Sequence, residues 1–536
     1  MSETFATPVL DIRNLSVALP PGSDRSLAVD NVSLAVHPRE ILCIVGESGS
    51  GKSVTLFAIM GLLASRLRAV QGEILFSGRD LLTLSVTEIS ELRGKELAMI
   101  FQEPMTALNP TMKVGRQIEE TLRIHTTMGP KHRRARALEL MRLVNIPSPE
   151  MLRERYPHQL SGGQRQRVMI AMALALEPVL LLADEPTTAL DVTTQAQILD
   201  QIKEIQRRSG AAVLFVTHDI GVVAEIADRV IVMQSGKIVE QGAVENVLRS
   251  PQHPYTRSLL AAVPSARNRV PRRSKLDAPE VLRVEGLSKS YPSHGLWSGR
   301  STPTRAIDKV DLVVRRGEIV SVVGESGSGK STMARCVCGL LEYTEGRIAI
   351  EGLEPQTKMR PGHRPVQLIF QDPNRSLDPR WTVGKSMIEG MRNIGIARAD
   401  AIERAADLLE KVGLQRSALD RYPHEFSGGQ RQRICIARAL SMQPRLLIAD
   451  EAVSALDVSV QAQVLSLLTK LQDEMQLGIL FITHDLHTAG QISDTVAVMY
   501  RGRIVEHGPA LEVLSNPQHE YSRRLFQAAP GRRWLA

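Results

Sequence analysis

At 536 residues the chain is too long for one ordinary core, so two to four domains are expected. Hydrophobic content of 43% with 23% charged residues excludes a disordered or collagen-like chain. The net charge of +8 raises a nucleic-acid partner, but no RRM, KH or helix-turn-helix signature accompanies it, so none is expected.

The amino end, MSETFATPVL, carries Glu3 and no basic region before an apolar run, so no signal peptide is expected and the chain should stay in the cytoplasm. A strand–phosphate loop–helix pattern follows, with GESGSGKS at Gly46 to Ser53. Residues 103–160 are rich in helix formers and should form a mostly helical insertion before SGGQRQR at Ser161. The most apolar stretch, Val168 to Ala183, is broken by Glu177 and Pro178, too short for the roughly 20 residues that span a bilayer. Apolar runs Val179-Leu-Leu-Leu-Ala and Ala212-Val-Leu-Phe-Val then alternate with helices, which implies a parallel α/β core. After the tail PQHPYTRSLLAAVP, Pro251 to Pro264, a basic Pro-containing run holding Arg267, Arg269, Arg272, Arg273 and Lys275 reads as a linker. Strand-like alternation resumes at Val281-Leu-Arg-Val-Glu-Gly-Leu, and Glu318-Ile-Val-Ser-Val-Val leads to a second GESGSGKS at Gly324. The segment 372–426 repeats the helical insertion, and PQHEYSRRLFQAAP, Pro517 to Pro530, repeats the tail. Cys43, Cys336, Cys338 and Cys435 fall inside apolar patterns without a CxxC pair, as reduced structural thiols do.

The duplication is long. The two phosphate loops are 278 residues apart, whereas SGGQRQR (Ser161, Ser427), ADE (Ala183, Ala449) and THD (Thr217, Thr483) each recur after 266. A repeat of this length is a duplicated domain, not a solenoid unit. The expected boundaries are 1–264 for the first domain, 265–280 for a linker and 281–536 for the second.

In GxxxxGK[ST] the glycines allow backbone N–H groups to approach phosphate oxygens, the lysine (Lys52, Lys330) reaches the β/γ-phosphates, and the serine (Ser53, Ser331) meets Mg²⁺. An apolar strand ending in Asp184 then Glu185, repeated as Asp450 then Glu451, supplies a carboxylate for the metal and a neighbour to polarise an attacking water.

The order of phosphate loop, Gln102 or Gln371, SGGQ, LLLADE or LLIADE, ALD and THD resembles the ABC transporter ATPases along nearly the whole chain. LSGGQ at Leu160 to Gln164 and FSGGQ at Phe426 to Gln430 match that family's signature. The resemblance implies an α/β fold with two P-loop NTPase (ABC-type) domains, each with an antiparallel β subdomain, a parallel-sheet core and an inserted helical subdomain. It assigns ATP contacts to Gly46, Glu47, Ser48, Gly49, Ser50, Gly51, Lys52 and Ser53, and to Gly324, Glu325, Ser326, Gly327, Ser328, Gly329, Lys330, Ser331 and Thr332. It adds Ser161, Gly162, Gly163 and Gln164, Ser427, Gly428, Gly429 and Gln430, and Tyr291 as the adenine-stacking aromatic. Catalytic roles fall to Glu185, His218 and Gln102 and to Glu451, His484 and Gln371, and Mg²⁺ to Ser53, Gln102 and Asp184 and to Ser331, Gln371 and Asp450. Asp191 and Asp457, in ALD, match the residues through which the family's two sites communicate. By analogy with that family, one site should join Lys52, Asp184 and Glu185 to Ser427 and Gly429, and the other Lys330, Asp450 and Glu451 to Ser161 and Gly163.

Three positions depart from the pattern. Leu19 stands where Tyr291 stands in the second copy, Val54 replaces Thr332, and Ala452 replaces the proline usual beside the base. The tails and the contexts FQEPMTALNP and FQDPNRSLDP resemble the dipeptide, oligopeptide and nickel importer branch. That branch implies two transmembrane permease subunits as partners, indirectly a periplasmic or lipid-anchored substrate-binding protein, and a peripheral place on the cytoplasmic face of the inner membrane. The competing reading is a twin-ABC ATPase in translation or DNA repair, against which stand the short linker and the absence of zinc-ligand cysteine sets.

Overall fold

The computed structural model describes residues 7–188, 190–263, 277–291, 304–351, 365–454 and 456–531. The basic run between Arg267 and Lys275 and most of the expected linker lie outside the described residues. The chain divides into two compact units, one drawn mainly from residues 1–262 and the other mainly from 263–529.

In the first unit the strands are β1 (Leu10–Ala18), β2 (Leu27–Val36), β3 (Ile41–Val45), β4 (Arg68–Phe76), β5 (Arg79–Asp80), β6 (Leu97–Ile100), β7 (Leu180–Asp184), β8 (Ala212–Thr217), β9 (Arg229–Gln234) and β10 (Lys237–Ala243). They form an antiparallel sheet of order β2-β1-β4-β5 and a six-stranded sheet of order β10-β9-β3-β8-β7-β6. In the second sheet β9, β3, β8, β7 and β6 run parallel, and only β10 turns back as an antiparallel edge. All residues of β3, β7 and β8 are buried, as expected of parallel strands covered on both faces. Strand β7 starts at Leu180, one residue later than the apolar run reads, and Val179 just before it is 42% exposed. In β1 the alternation of Leu10 and Ile12 with Asp11 and Arg13 is interrupted between Ile12 and Leu15 by a register shift, where Asn14 takes a left-handed φ of 48°. One core joins the two sheets: Leu10, Ile12 and Phe76 from the antiparallel sheet meet Leu42, Ile44 and Leu214, with Leu56 and Ile59 of the helix Lys52–Ile59.

The second unit has β11 (Glu280–Tyr291), β12 (Thr304–Arg315), β13 (Ile319–Val323), β14 (Glu345–Ile350), β15 (Val366–Ile369), β16 (Leu446–Asp450), β17 (Gly478–Thr483), β18 (Thr495–Tyr500) and β19 (Arg503–Pro509). Among the described residues its sheets have the orders β12-β11-β14 and β15-β16-β17-β13-β18-β19. Residues 103–160 and 372–426 are helical insertions. Helices Val114–His125 and Pro130–Leu143 pack on Gly162–Ala173, and Val383–Asn393 and Arg398–Lys411 pack on Gly428–Leu440. In the second unit Met387, Met391, Ala405, Leu409 and Ile434 form a continuous core with Leu447, Ala449 and Phe481 of the sheet.

All four cysteines are buried; burial pushes the Cys43 thiol far up and holds those of Cys336 and Cys435 at about 11, which keeps them unreactive. Among the described residues no helix is long and apolar enough to cross a membrane.

Candidate active site

Sheet order explains why residues far apart in sequence meet. Ligands of open parallel sheets bind beyond the carboxyl ends of the strands. In the first unit β3 runs into the phosphate loop, its neighbour β8 into His218, the next strand β7 into Asp184 and Glu185, and β6 is followed by Gln102. In the second unit β13, β17, β16 and β15 deliver the second loop, His484, Asp450 with Glu451, and Gln371 in the same order.

The loop itself depends on glycine. Gly46 has φ 154° and Gly51 φ 103°, and a Cβ on them would stand 2.2 Å from the Met233 carbonyl oxygen and 2.6 Å from that of Ala28. Gly51 caps the helix Lys52–Ile59 with no side-chain hydrogen bond at the cap, and a helix start of this kind suits an anion. Lys52 Nζ donates to the carbonyl oxygens of Gly46 (2.6 Å) and Glu47 (2.8 Å), and Lys330 Nζ to those of Gly324 (2.7 Å) and Glu325 (2.8 Å).

Ser53 Oγ donates to Asp184 Oδ1 at 2.9 Å, and Ser331 Oγ to Asp450 Oδ1 at 3.0 Å. Burial is the largest influence on Asp184 and, despite the serine bond, lifts its carboxyl to about 6; Asp450 is raised for the same reason. A buried, under-compensated carboxylate beside a hydroxyl is a hard oxygen donor set of the kind Mg²⁺ takes.

Glu185 follows β7 at φ 45° and Glu451 follows β16 at φ 51°, each N–H held at 2.9 Å by the carbonyl of Val216 or Ile482. Glu185 Oε2 accepts from Gln102 Nε2 (2.9 Å) and Thr188 Oγ1 (3.0 Å), and its Oε1 lies 3.1 Å from His218 Nδ1. Burial acts to raise this carboxyl, but the His218 bond and the charges of His218 and Lys52 outweigh it and hold Glu185 at about 2. Glu451 repeats the pattern, with Gln371 Nε2 at 2.7 Å and His484 Nδ1 at 3.4 Å, and is likewise lowered. Burial pulls His484 down, yet Glu451 brings it above its ordinary value. The histidines are fixed from both sides: each follows a strand and precedes an aspartate, Asp219 or Asp485, that caps the next helix through two backbone N–H groups. Thr188 was not anticipated from sequence. Its equivalent Ser454 bonds instead to the Glu451 carbonyl, so the two carboxylates are not identically supported.

The signature residues serve first as helix starts. Ser161 caps Gly162–Ala173 in a reciprocal box with Gln164, and Ser427 caps Gly428–Leu440 with Gln430. Gly163 and Gly429 admit close packing, since a Cβ there would lie 2.9 Å from Thr194 Cγ2 and 2.3 Å from Val460 Cγ1; a Cβ at Gly162 would meet nothing within 4 Å. Tyr291 ends β11 at 39% exposure with Lys289 Nζ 5.4 Å from its ring centroid, a place fit for stacking, while Leu19 occupies the matching turn after β1. Val54 packs against the first unit's core. Ala452 is buried beside Glu451, whose backbone keeps the conformation of Glu185 despite the lost proline.

The family model described as "ABC transporter" matches residues 29–188 and 307–454, and "Oligopeptide/dipeptide transporter, C-terminal region" matches 239–289. The chain is 48% identical to the glutathione import ATP-binding protein GsiA of Salmonella choleraesuis (strain SC-B67), covering 98% of this chain and 90% of that protein. With the GsiA of Escherichia coli (strain K12) the identity is 47% over the same shares. A solved dimeric bacterial ABC transporter cassette is 31% identical, covering 44% of this chain and 98% of that one, with a TM-score of 0.41. With two nucleotide-binding cassettes matched and relatives similar from end to end, the chain belongs to the ABC transporter family and is an ATP-hydrolysing subunit that energises an importer of peptides or peptide-like solutes.

Proposed function

We propose that the imported solute is glutathione or a short peptide of similar size and charge. The observation that carries this reading is the 48% identity along 98% of the chain to a glutathione import ATP-binding protein, with the importer-type tail present. The partners in this reading are two transmembrane permease subunits, with a periplasmic or lipid-anchored protein choosing the solute, and the ATPase sits on the cytoplasmic face of the inner membrane. The domains run 1–264 and 281–536, joined by residues 265–280.

In the proposed mechanism Lys52 and Lys330 bind the β/γ-phosphates over their glycine loops. Ser53, Asp184 and Gln102, and Ser331, Asp450 and Gln371, would hold Mg²⁺, which when bound supplies positive charge against the phosphate oxygens. Glu185 and Glu451 remain ionised at neutral pH and orient the attacking water, while His218 and His484 hold those carboxylates in place and face the γ-phosphate.

Deleting the gene should abolish uptake of labelled glutathione. The wild-type gene should restore it, and a Lys52→Ala, Lys330→Ala gene should not. A deletion strain that imports glutathione and di- and oligopeptides normally, yet shows a ribosome or DNA-repair defect, would overturn the proposal.

A further inference from the structure

Each tail reaches back to the phosphate loop of its own unit. In the first unit Glu240 of β10 accepts the backbone N–H groups of Gln252 (2.8 Å) and His253 (3.0 Å). His253 caps the helix Pro254–Ala261, its Nδ1 accepting the Tyr255 N–H at 3.2 Å. The Tyr255 hydroxyl then accepts the N–H of Glu47, the second residue of the phosphate loop, at 3.2 Å. The second unit repeats every link: Glu506 to Gln518 (2.7 Å) and His519 (3.1 Å), His519 Nδ1 to Tyr521 N–H (3.1 Å), and Tyr521 hydroxyl to Glu325 N–H (3.1 Å).

The bonded group is what gives this chain its meaning. The peptide unit between Gly46 and Glu47 presents its carbonyl to Lys52 Nζ at 2.6 Å and its N–H to Tyr255. One peptide plane is therefore pinned at both ends, and the lysine that meets the phosphates rests on it. Strand β3 ends at Val45, so no ladder holds this N–H, and a partly buried backbone donor demands a partner. Between Gly324 and Glu325 the same plane is held by Lys330 and Tyr521.

We infer that Tyr255 and Tyr521 are positioning residues for ATP binding: their hydroxyls set the first peptide of each phosphate loop and so fix where the loop lysine stands. The tail motif PQHxY is then a strut from the last strand of each unit to its phosphate loop. The two struts differ in stiffness. Tyr521 is 5% exposed and stacks on Tyr500 with ring centroids 4.0 Å apart, whereas Gln234 occupies the place of Tyr500 at the end of β9. Burial also pushes the Tyr521 phenol well above its ordinary range, so it stays neutral at any working pH.

The test uses the full-length chain with Tyr255→Phe and Tyr521→Phe combined, which keeps both rings and deletes both hydroxyls. The ATP dissociation constant by calorimetry and the KM should each rise about 3–10-fold, the size of one ordinary hydrogen bond per loop, while kcat at saturation changes less than about twofold and Tm hardly moves. Replacing His253 and His519 by Ala should give the same rise by releasing the helix starts. His253→Asn with His519→Asn should stay near wild type, because Asn also caps a helix. An unchanged ATP dissociation constant in the Phe double variant, or a lowered Tm with unchanged KM, would overturn the inference and leave the tyrosines as packing residues.

Discussion

Gly46 and Gly49 lie in one loop and both have positive φ, yet substituting them by Ala should have unequal effects. At Gly49 (φ 75°) an added Cβ meets nothing within 4 Å, so the cost is that of a left-handed backbone alone, about 1–2 kcal/mol. At Gly46 (φ 154°) the Cβ would stand 2.2 Å from the Met233 carbonyl oxygen, 3.2 Å from its carbonyl carbon and 2.9 Å from Ser50 Oγ. The serine can turn away. The carbonyl cannot, because Met233 belongs to β9, which is paired on one side with β3 and on the other with β10. Overpacking costs about 1–3 kcal/mol where neighbours can give, and a fixed backbone atom puts Gly46→Ala at the upper end, about 3 kcal/mol beyond Gly49→Ala. For a domain of this size that difference lowers Tm by about a further 6–12 °C. Calorimetric unfolding of the two single variants measures it directly. Equal Tm losses would refute the argument, since they would mean that the loop and β9 separate freely.

Three further outcomes are expected. Glu185→Gln with Glu451→Gln should bind MgATP normally while turnover falls by roughly 10²–10⁴, the range for losing a general base; near-normal hydrolysis would remove both residues from the mechanism. Asp184 is 3% exposed with its folded carboxyl raised from 3.8 to about 6, so its ionisation costs stability that is absent below pH 3.8 and complete above pH 6. Without divalent cations Asp184→Asn should therefore stabilise the protein by about 3 kcal/mol at pH 7.5, a gain that shrinks as pH falls below 6; a pH-independent effect in denaturation curves would contradict the sign. Finally, Leu19→Tyr should tighten ATP binding at the first phosphate loop by about 0.5–1.5 kcal/mol, the value of an added aromatic stack; titration with a fluorescent adenine nucleotide would show no change if Leu19 is remote from the base.

Much of this fold could be read before any coordinates. Period-two alternation located β11, and the apolar runs before the two glycine loops and before Asp184 and Asp450 located the buried parallel strands, because two-sided burial leaves an unbroken apolar signature. Gln102 and Gln371 came from a resemblance rather than from their own spacing, since a glutamine after a short strand has no chemistry until a neighbouring strand brings a glutamate to 2.9 or 2.7 Å. Thr188 and the tail tyrosines escaped for a similar reason. Tyr255 and Glu47 are 208 residues apart, and nothing in either segment encodes the crossing of a side chain from one helix to one loop. The backbone of Glu185 was equally hidden: glutamate has no preference for the left-handed region, and the bond to the Val216 carbonyl imposes it.

That imposed conformation carries a hazard for protein engineering. A residue with φ near 45° would relax if exchanged for glycine or asparagine, by about 1–2 kcal/mol, so a survey for thermostabilising substitutions would rank Glu185 and Glu451 among its first candidates. Each such gain would delete the carboxylate that Gln102 with His218, or Gln371 with His484, is arranged to hold. Selection for robustness alone would thus drive the chain toward a sturdier protein that binds ATP and hydrolyses it only slowly, and only selection for transport keeps two glutamates where the backbone resists them.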